Sequence, residues 1–104
     1  MKRIAILGST GSIGRQTLDI VREHPDQYEA FALTALSSAE LLIAQAREFR
    51  PEVVVIADES QYDTVSQALA DLPIKVFAGT ESIGDVVRMS HVDIVVTAMV
   101  GFSG

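Results

Sequence analysis

Short apolar runs alternate along the chain with stretches whose apolar residues recur at helical spacing. Five short runs predict β-strands, at residues 4–7, 30–34, 53–57, 75–77 and 93–98. Four periodic stretches predict helices between them, at residues 12–23, 37–50, 62–72 and 83–89. The third run, Val53-Val54-Val55-Ile56, is apolar at every position, which is typical of a strand buried on both faces. The alternation predicts an α/β protein whose parallel sheet is covered by helices on both sides.

Right-handed crossovers between parallel strands turn this element order into a doubly wound, Rossmann-type fold with five strands. We expect the strand order 3-2-1-4-5 and a ligand crevice where the first and fourth strands diverge. Ser37 and Glu40 fit a capping box at the start of the second helix. The pair Asp58-Glu59 follows the third strand and indicates a helix start rather than a pair of catalytic acids.

A glycine-rich turn joins the first predicted strand to the first predicted helix. Its glycines are Gly8, Gly11 and Gly14. This spacing is typical of dinucleotide-binding turns, which need a tight turn, a bare backbone beside the pyrophosphate and close helix–strand contact. The free amides and dipole of the helix N-terminus then attract the phosphates. We expect Thr10 and Ser12 to add hydroxyl donors.

Within this turn, we expect Gly11 to approach the pyrophosphate most closely and the Ile13 side chain to pack rather than bond. A Walker phosphate loop would need Gly-Lys-Ser or Gly-Lys-Thr, whereas Gly14 is followed by Arg15. A glycine turn that serves packing alone remains the structural alternative.

The sequence shows no catalytic residue and no metal-ligand set. His24 and His91 lack metal-ligand spacing, and exposed or capping roles fit them better. The hydroxyls of the glycine turn have no neighbouring base in the sequence that would make a nucleophile of them.

Composition limits the class of protein. The 104 residues suffice for one domain, and the formal net charge of −6 argues against a nucleic-acid partner. The absence of cysteine excludes disulfides and thiolate metal sites. No apolar run approaches the roughly 20 residues that span a bilayer, and Met1 leads straight into a strand pattern without a signal peptide. We therefore expect no membrane association and a cytoplasmic location.

The end of the second strand bears on cofactor choice. NAD-specific domains place a carboxylate there for the ribose 2′-hydroxyl, but Leu36-Ser37-Ser38 has none, and the first carboxylate is Glu40. No Arg or Lys stands there to pair with a 2′-phosphate. Ser37 and Ser38 remain as candidate cofactor contacts, and a plain capping role for Ser37 stays open.

Several motifs together closely resemble the 1-deoxy-D-xylulose 5-phosphate reductoisomerase family. They are Ile6-Leu7-Gly8-Ser9-Thr10-Gly11-Ser12-Ile13-Gly14, Thr17-Leu18-Asp19, Pro25, Ala32-Leu33 and Ala98-Met99-Val100-Gly101-Phe102-Ser103-Gly104. The resemblance covers the whole chain and corresponds to the N-terminal NADPH-binding domain of that family.

The resemblance implies an NADPH-dependent oxidoreductase of non-mevalonate isoprenoid biosynthesis. Such enzymes rearrange 1-deoxy-D-xylulose 5-phosphate and reduce the product to 2-C-methyl-D-erythritol 4-phosphate, with Mg²⁺ or Mn²⁺ holding the substrate oxygens. The resemblance also implies a homodimer. Thr10, Gly11, Ser12 and Ile13 would contact the pyrophosphate, and Ala98-Met99 would lie near the nicotinamide.

The chain departs from the family at Leu36-Ser37-Ser38, where the family commonly has a small residue, a basic residue and Asn. This departure leaves the strength of the NADP preference open. The family's acidic metal ligands and substrate-phosphate residues lie beyond Gly104.

The last residues read as a loop after the fifth strand. We therefore expect residues 1–104 to be the dinucleotide-binding domain of a longer enzyme, inactive without its catalytic and C-terminal domains. Three alternatives stay open: a small complete domain, a nucleotide-sensing regulatory module without catalysis, and a different oxidoreductase whose catalytic part is missing.

Overall fold

The computed structural model describes residues 2–89 and 92–97 of the chain. Five parallel strands form one sheet: β1 (Lys2–Leu7), β2 (Tyr28–Ala35), β3 (Val53–Ile56), β4 (Lys75–Ala78) and β5 (Ile94–Thr97). Four helices connect them: α1 (Ser12–Glu23), α2 (Ala39–Phe49), α3 (Tyr62–Ala68) and α4 (Thr80–Val87). A single 3₁₀ turn at Glu59–Gln61 leads into α3. The predicted α/β Rossmann-type class and the five parallel strands are confirmed.

The order of the strands across the sheet is β4-β3-β2-β1-β5. The central run β3-β2-β1 is as predicted, but the placement of the fourth strand beside the first was wrong. The strand β4 pairs with β3, with Val53 opposite Lys75, and β5 pairs with β1, with Ile4 opposite Ile94. After β4 the chain therefore crosses back over the sheet and adds β5 on the other side of β1. The topological switch point lies between β1 and β5.

The two faces of the sheet carry separate cores, which explains this order. Ile6 and Ile56 point to the face covered by α1, α2 and α3, whereas Leu7 and Val55 point to the face covered by α4. Successive right-handed crossovers in one direction place their helices on the same face, and reversal moves the next helix to the other face. The apolar runs of the strands are thus explained by burial on both sides.

The boundaries of three helices differ from the sequence expectations, and among them α4 spans Thr80–Val87 rather than residues 83–89. The capping box at Ser37 and Glu40 is absent, because the N-cap of α2 is Ser38 and its side chain makes no capping hydrogen bond. The helix α3 ends at Ala68 rather than at residue 72, and the chain then turns before Pro73. The helix-start role of Asp58 is confirmed, since its carboxylate accepts a hydrogen bond from the Ser60 amide at 3.0 Å.

None of the helices within residues 2–89 and 92–97 combines the length and apolar character needed to cross a bilayer.

Candidate cofactor-binding site

The glycine turn leaves the carboxyl end of β1 and is tied to the neighbouring strand β2. Gly8 has a φ of 86°, in the left-handed region that favours glycine. Its amide donates to the carbonyl and the Oγ1 of Thr34, both at 3.0 Å, and the Ser9 amide donates to the same carbonyl at 2.8 Å. The Gly11 amide then donates to the Gly8 carbonyl at 3.1 Å. These bonds fix the tight turn that the glycine spacing predicts.

Gly14 brings α1 against the turn. A Cβ atom on Gly14 would overlap the Gly8 carbonyl oxygen and would lie 2.7 Å from the Cα of Ser9. Both neighbours are backbone atoms, so no side-chain rotation could relieve the overlap. Glycine is therefore required here for close contact between helix and strand, as the sequence indicated.

The N-terminus of α1 is left open toward the carboxyl edge of the sheet. Gly11 is the N-cap and makes no side-chain capping bond, and the first turn of α1 contains no acidic residue. The amides of Ser12, Ile13 and Gly14 belong to that first turn. First-turn amides have no carbonyl within the helix to which they can donate a hydrogen bond. The other three helices each carry a carboxylate in their first turn, from Glu40, Asp63 and Glu81 respectively. The α1 terminus therefore combines free donors with the positive end of a helix dipole, an arrangement that binds phosphates.

The side chains of the turn divide into buried and accessible groups. Ser9 is fully buried, Thr10 is half-buried and Ser12 is exposed. The expectation that Ile13 packs was wrong, because its side chain is 49% exposed beside the open helix terminus. The hydroxyls of Thr10 and Ser12 are thus placed where they could donate hydrogen bonds to a bound phosphate.

A buried polar pair behind the turn was not found by sequence reasoning. The Ser9 hydroxyl donates to Oε1 of Gln45 at 2.7 Å, and Nε2 of Gln45 donates to the Ser9 carbonyl at 2.8 Å. Gln45 lies on α2 and is 7% exposed. This reciprocal pair anchors the turn to a second helix. A polar residue inside the apolar stripe of α2 was the only signal for it.

Ser37 and Ser38 lie at the carboxyl edge of the sheet, after β2 and before α2. Both are exposed and line a groove of about 400 Å³ together with Glu40, Leu41 and Gln61. Because β1 and β2 are neighbours, with Leu7 opposite Thr34, this groove lies on the same edge as the glycine turn.

The remaining predicted cofactor contacts, Ala98 and Met99, lie outside the described residues.

Two exposed ion pairs brace the helices on this face of the sheet. The guanidinium of Arg22 on α1 bonds Glu48 on α2, and Arg47 on α2 bonds Asp71. The hydrogen bond from Arg22 holds the pKa of Glu48 below its usual value, and the hydrogen bond from Arg47 does the same for Asp71. These pairs link neighbouring elements and leave the glycine turn free.

His24 is exposed and forms an edge-to-face ring contact with Tyr28. His91 lies outside the described residues. Across residues 2–89 and 92–97, no three His, Cys, Asp or Glu side chains are grouped closely enough to hold a metal ion.

Comparison with known proteins assigns this geometry to a family. The family model described as 1-deoxy-D-xylulose 5-phosphate reductoisomerase matches residues 4–104. The chain belongs to the 1-deoxy-D-xylulose 5-phosphate reductoisomerase family. Reductoisomerases from Bacteroides thetaiotaomicron and Porphyromonas gingivalis are 61% and 59% identical to it over 103 residues. Those alignments cover 99% of this chain and 26% and 27% of the two relatives, so the chain spans about a quarter of their length.

Solved reductoisomerase structures have the same fold. A crystal structure of DOX-P reductoisomerase in complex with NADPH, fosmidomycin and magnesium matches with a TM-score of 0.92 at 39% identity, over 97% of this chain and 25% of that one. The enzyme from Zymomonas mobilis in complex with NADPH matches with a TM-score of 0.82 at 33% identity, over 86% of this chain and 24% of that one. This chain therefore shares its fold with the matching part of those reductoisomerases.

Proposed function

We propose that this chain binds NADPH at the carboxyl edge of its sheet, as the cofactor-binding part of a 1-deoxy-D-xylulose 5-phosphate reductoisomerase. The observation that carries the proposal is the open N-terminus of α1. Its uncapped first-turn amides follow a turn that Gly14 seats directly against Gly8. Family membership favours this function over a regulatory module that senses nucleotides, and reductoisomerase structures with NADPH share the fold.

The residues of the turn have distinct roles in this proposal. The amides of Ser12, Ile13 and Gly14 would donate to the pyrophosphate, and the hydroxyls of Thr10 and Ser12 would add further donors. The lack of a side chain on Gly11 would let the phosphates approach the backbone. Gly8 belongs to the same site because its left-handed conformation makes the turn possible. These residues therefore fit a dinucleotide pyrophosphate.

The other contacts belong to the two ends of the cofactor. Ser37 and Ser38 would receive the adenosine ribose and its 2′-phosphate at the end of β2, and Ala98 and Met99 would approach the nicotinamide. When bound, NADPH would supply the hydride that reduces the rearranged substrate. This chain's residues bind and orient the cofactor.

The wider proposal follows the family. The substrate would be 1-deoxy-D-xylulose 5-phosphate, converted to 2-C-methyl-D-erythritol 4-phosphate in non-mevalonate isoprenoid biosynthesis. A divalent cation, Mg²⁺ or Mn²⁺, would be required by the complete enzyme, as the magnesium in related structures suggests. We propose a cytoplasmic homodimer.

Thermal shift measurements with matched concentrations of NADPH and NADH test the cofactor assignment. The end of β2 has no carboxylate for a 2′-hydroxyl, and this absence favours NADPH. It also has no cation of its own for a 2′-phosphate, so we expect the preference for NADPH to be only about 1–2 kcal/mol. A ligand at about 100 times its Kd adds roughly 2.7 kcal/mol, which is about 10–20 °C in Tm for a domain of this size. The absence of a shift with either cofactor would refute the proposal. An equal or larger shift with NADH would refute the NADP assignment alone.

A further inference from the structure

The groove at the end of β2 offers poor electrostatics for a 2′-phosphate. Ser37 and Ser38 are neutral donors, and Glu40 places a carboxylate in the same groove. A phosphate monoester carries about −1.5 to −2 charges at neutral pH. Dinucleotide-binding domains that select the phosphorylated cofactor usually supply an arginine nearby. A cation from another element is therefore needed if this chain selects NADP(H).

A second groove, of about 460 Å³, runs between α1 and α2 and begins beside the glycine turn. Ser12 and Arg15 line it at the turn, and Leu41 lines it from the first part of α2. Leu41 also lines the groove that holds Ser37 and Ser38. The two grooves thus adjoin at one side chain, with Arg15 on one side and the end of β2 on the other.

Among the residues that the structure describes, Arg15 is the cation of this region without a carboxylate partner. Arg22, in the same groove, bonds Asp19 and Glu48 and lies 5.1 Å from the centre of the Phe49 ring. Within residues 2–89 and 92–97, no hydrogen bond or ion pair engages the exposed Arg15 side chain, while its amide donates to the Gly11 carbonyl at 2.9 Å. Its backbone is therefore fixed beside the phosphate turn while its guanidinium is available.

We propose that Arg15 selects NADP(H) over NAD(H) by pairing with the 2′-phosphate of the adenosine ribose across Leu41. The inference rests on the proposed cofactor function and adds a specificity-determining residue to it. Arginine suits the role because its planar donors match phosphate oxygens in pairs. Ser37 and Ser38 then serve as neutral partners, and the cation comes from α1 rather than from the end of β2.

Isothermal titration of the purified protein with NADPH, NADH, adenosine 2′,5′-bisphosphate and AMP tests the proposal. We expect Arg15→Gln to weaken the affinity for NADPH and for the bisphosphate on the order of tenfold. The affinities for NADH and AMP should change by less than about twofold. Arg15→Lys should restore part of the NADPH affinity, because it keeps the charge without the paired donors. Salt at about 0.5 M should shrink the difference between wild type and Arg15→Gln.

Arg88→Gln is the matched control, since Arg88 is exposed at the C-cap of α4, across the sheet, and its loss changes the net charge equally. We expect this variant to bind all four ligands as the wild type does. An equal loss of affinity for NADPH and NADH in Arg15→Gln would mean that Arg15 binds the pyrophosphate that both cofactors share. No loss of affinity would mean that the Arg15 side chain is only solvated. Either result overturns the selection role and leaves the proposed function standing. A wild-type protein that binds neither dinucleotide overturns both.

Discussion

The Gly8 carbonyl oxygen occupies the space that a Cβ atom on Gly14 would need. The contact joins the first residue of the turn to the third residue of α1. It makes the seating of the helix on the strand depend on the absence of a single methyl group. Gly11 differs, because its φ of −78° and ψ of 172° are open to any residue. The two glycines can therefore be separated by experiment into a packing role and a binding role.

Gly14→Ala should destabilise the fold. The added methyl meets backbone atoms of Gly8 and Ser9, and overpacking that cannot relax costs about 3 kcal/mol or more. We expect Tm to fall by at least about 10 °C in a domain of this size. Urea unfolding followed by circular dichroism measures the loss. A change below about 0.5 kcal/mol would show that the helix can move away at little cost.

Gly11→Val should instead affect binding. Its backbone conformation is allowed for valine, and loss of a favourable N-cap residue costs only about 1 kcal/mol. The new side chain should block the approach of the pyrophosphate, so NADPH affinity should fall while the circular dichroism spectrum remains that of the wild type. Retained affinity in a folded Gly11→Val protein would place the phosphates elsewhere.

The pair Ser9 and Gln45 should show strong energetic coupling. Gln45→Leu leaves the buried Ser9 hydroxyl without its partner, and Ser9→Ala leaves Oε1 of Gln45 without a donor, each costing about 1–3 kcal/mol. The double variant should cost less than the sum by about 1 kcal/mol or more, since the hydroxyl and its acceptor leave together. Strict additivity in a denaturant-based double-mutant cycle would contradict this pairing.

Acid should weaken the two exposed ion pairs, which join α1 to α2 and α2 to the turn after α3. The pKa values of Glu48 and Asp71 are lowered in the folded state by hydrogen bonds from Arg22 and Arg47. Carboxylates with lowered folded-state pKa values stabilise a protein above their unfolded values, near pH 4, and this contribution is lost as the pH falls through the folded values. Tm should therefore decline below about pH 5 and decline less steeply in Asp71→Asn, with both effects reduced by salt. Equal pH profiles for wild type and Asp71→Asn would contradict the role of this pair.

The 104-residue chain by itself should not oxidise NADPH when supplied with 1-deoxy-D-xylulose 5-phosphate and Mg²⁺ or Mn²⁺. It matches about a quarter of the length of its reductoisomerase relatives, and we expect the metal and substrate groups to lie in the other three quarters. Absorbance at 340 nm follows the reaction against a control without protein. Turnover above that control would place catalytic groups within these residues.

Sequence reasoning located the elements well where apolar periodicity decides them. The boundaries of α1 were predicted to the residue, and the four apolar positions of β3 indicated burial on both faces. Periodicity carries no information about which strands are neighbours, so the position of β4 could not be read from it. That position depends on the face to which each helix packs, and α3 packs beside α2.

The part of the site that depends on backbone conformation could be predicted from the sequence. The roles of Gly8 and Gly14 follow from their spacing, whereas the exposure of Ile13 and the bond between Ser9 and Gln45 depend on how α2 lies beside the turn. A residue 36 positions away along the chain has no local signature. The predicted contacts of Ser37, Ser38, Ala98 and Met99 with the cofactor stay predictions.

The strand order also has a consequence for how the chain assembles. From β1 to β4 each new strand is added next to the one before it, so this part can grow by short steps along the sequence. The strand β5 must instead return to the far side of β1, where the Arg3 amide donates to the Asp93 carboxylate across 90 positions of the sequence. Contacts of such long sequence separation are formed late, because loop closure must precede them. We expect the pairing of β5 with β1 to be the last part of the sheet to form, so a ligand bound beside these two strands would stabilise the final step of assembly.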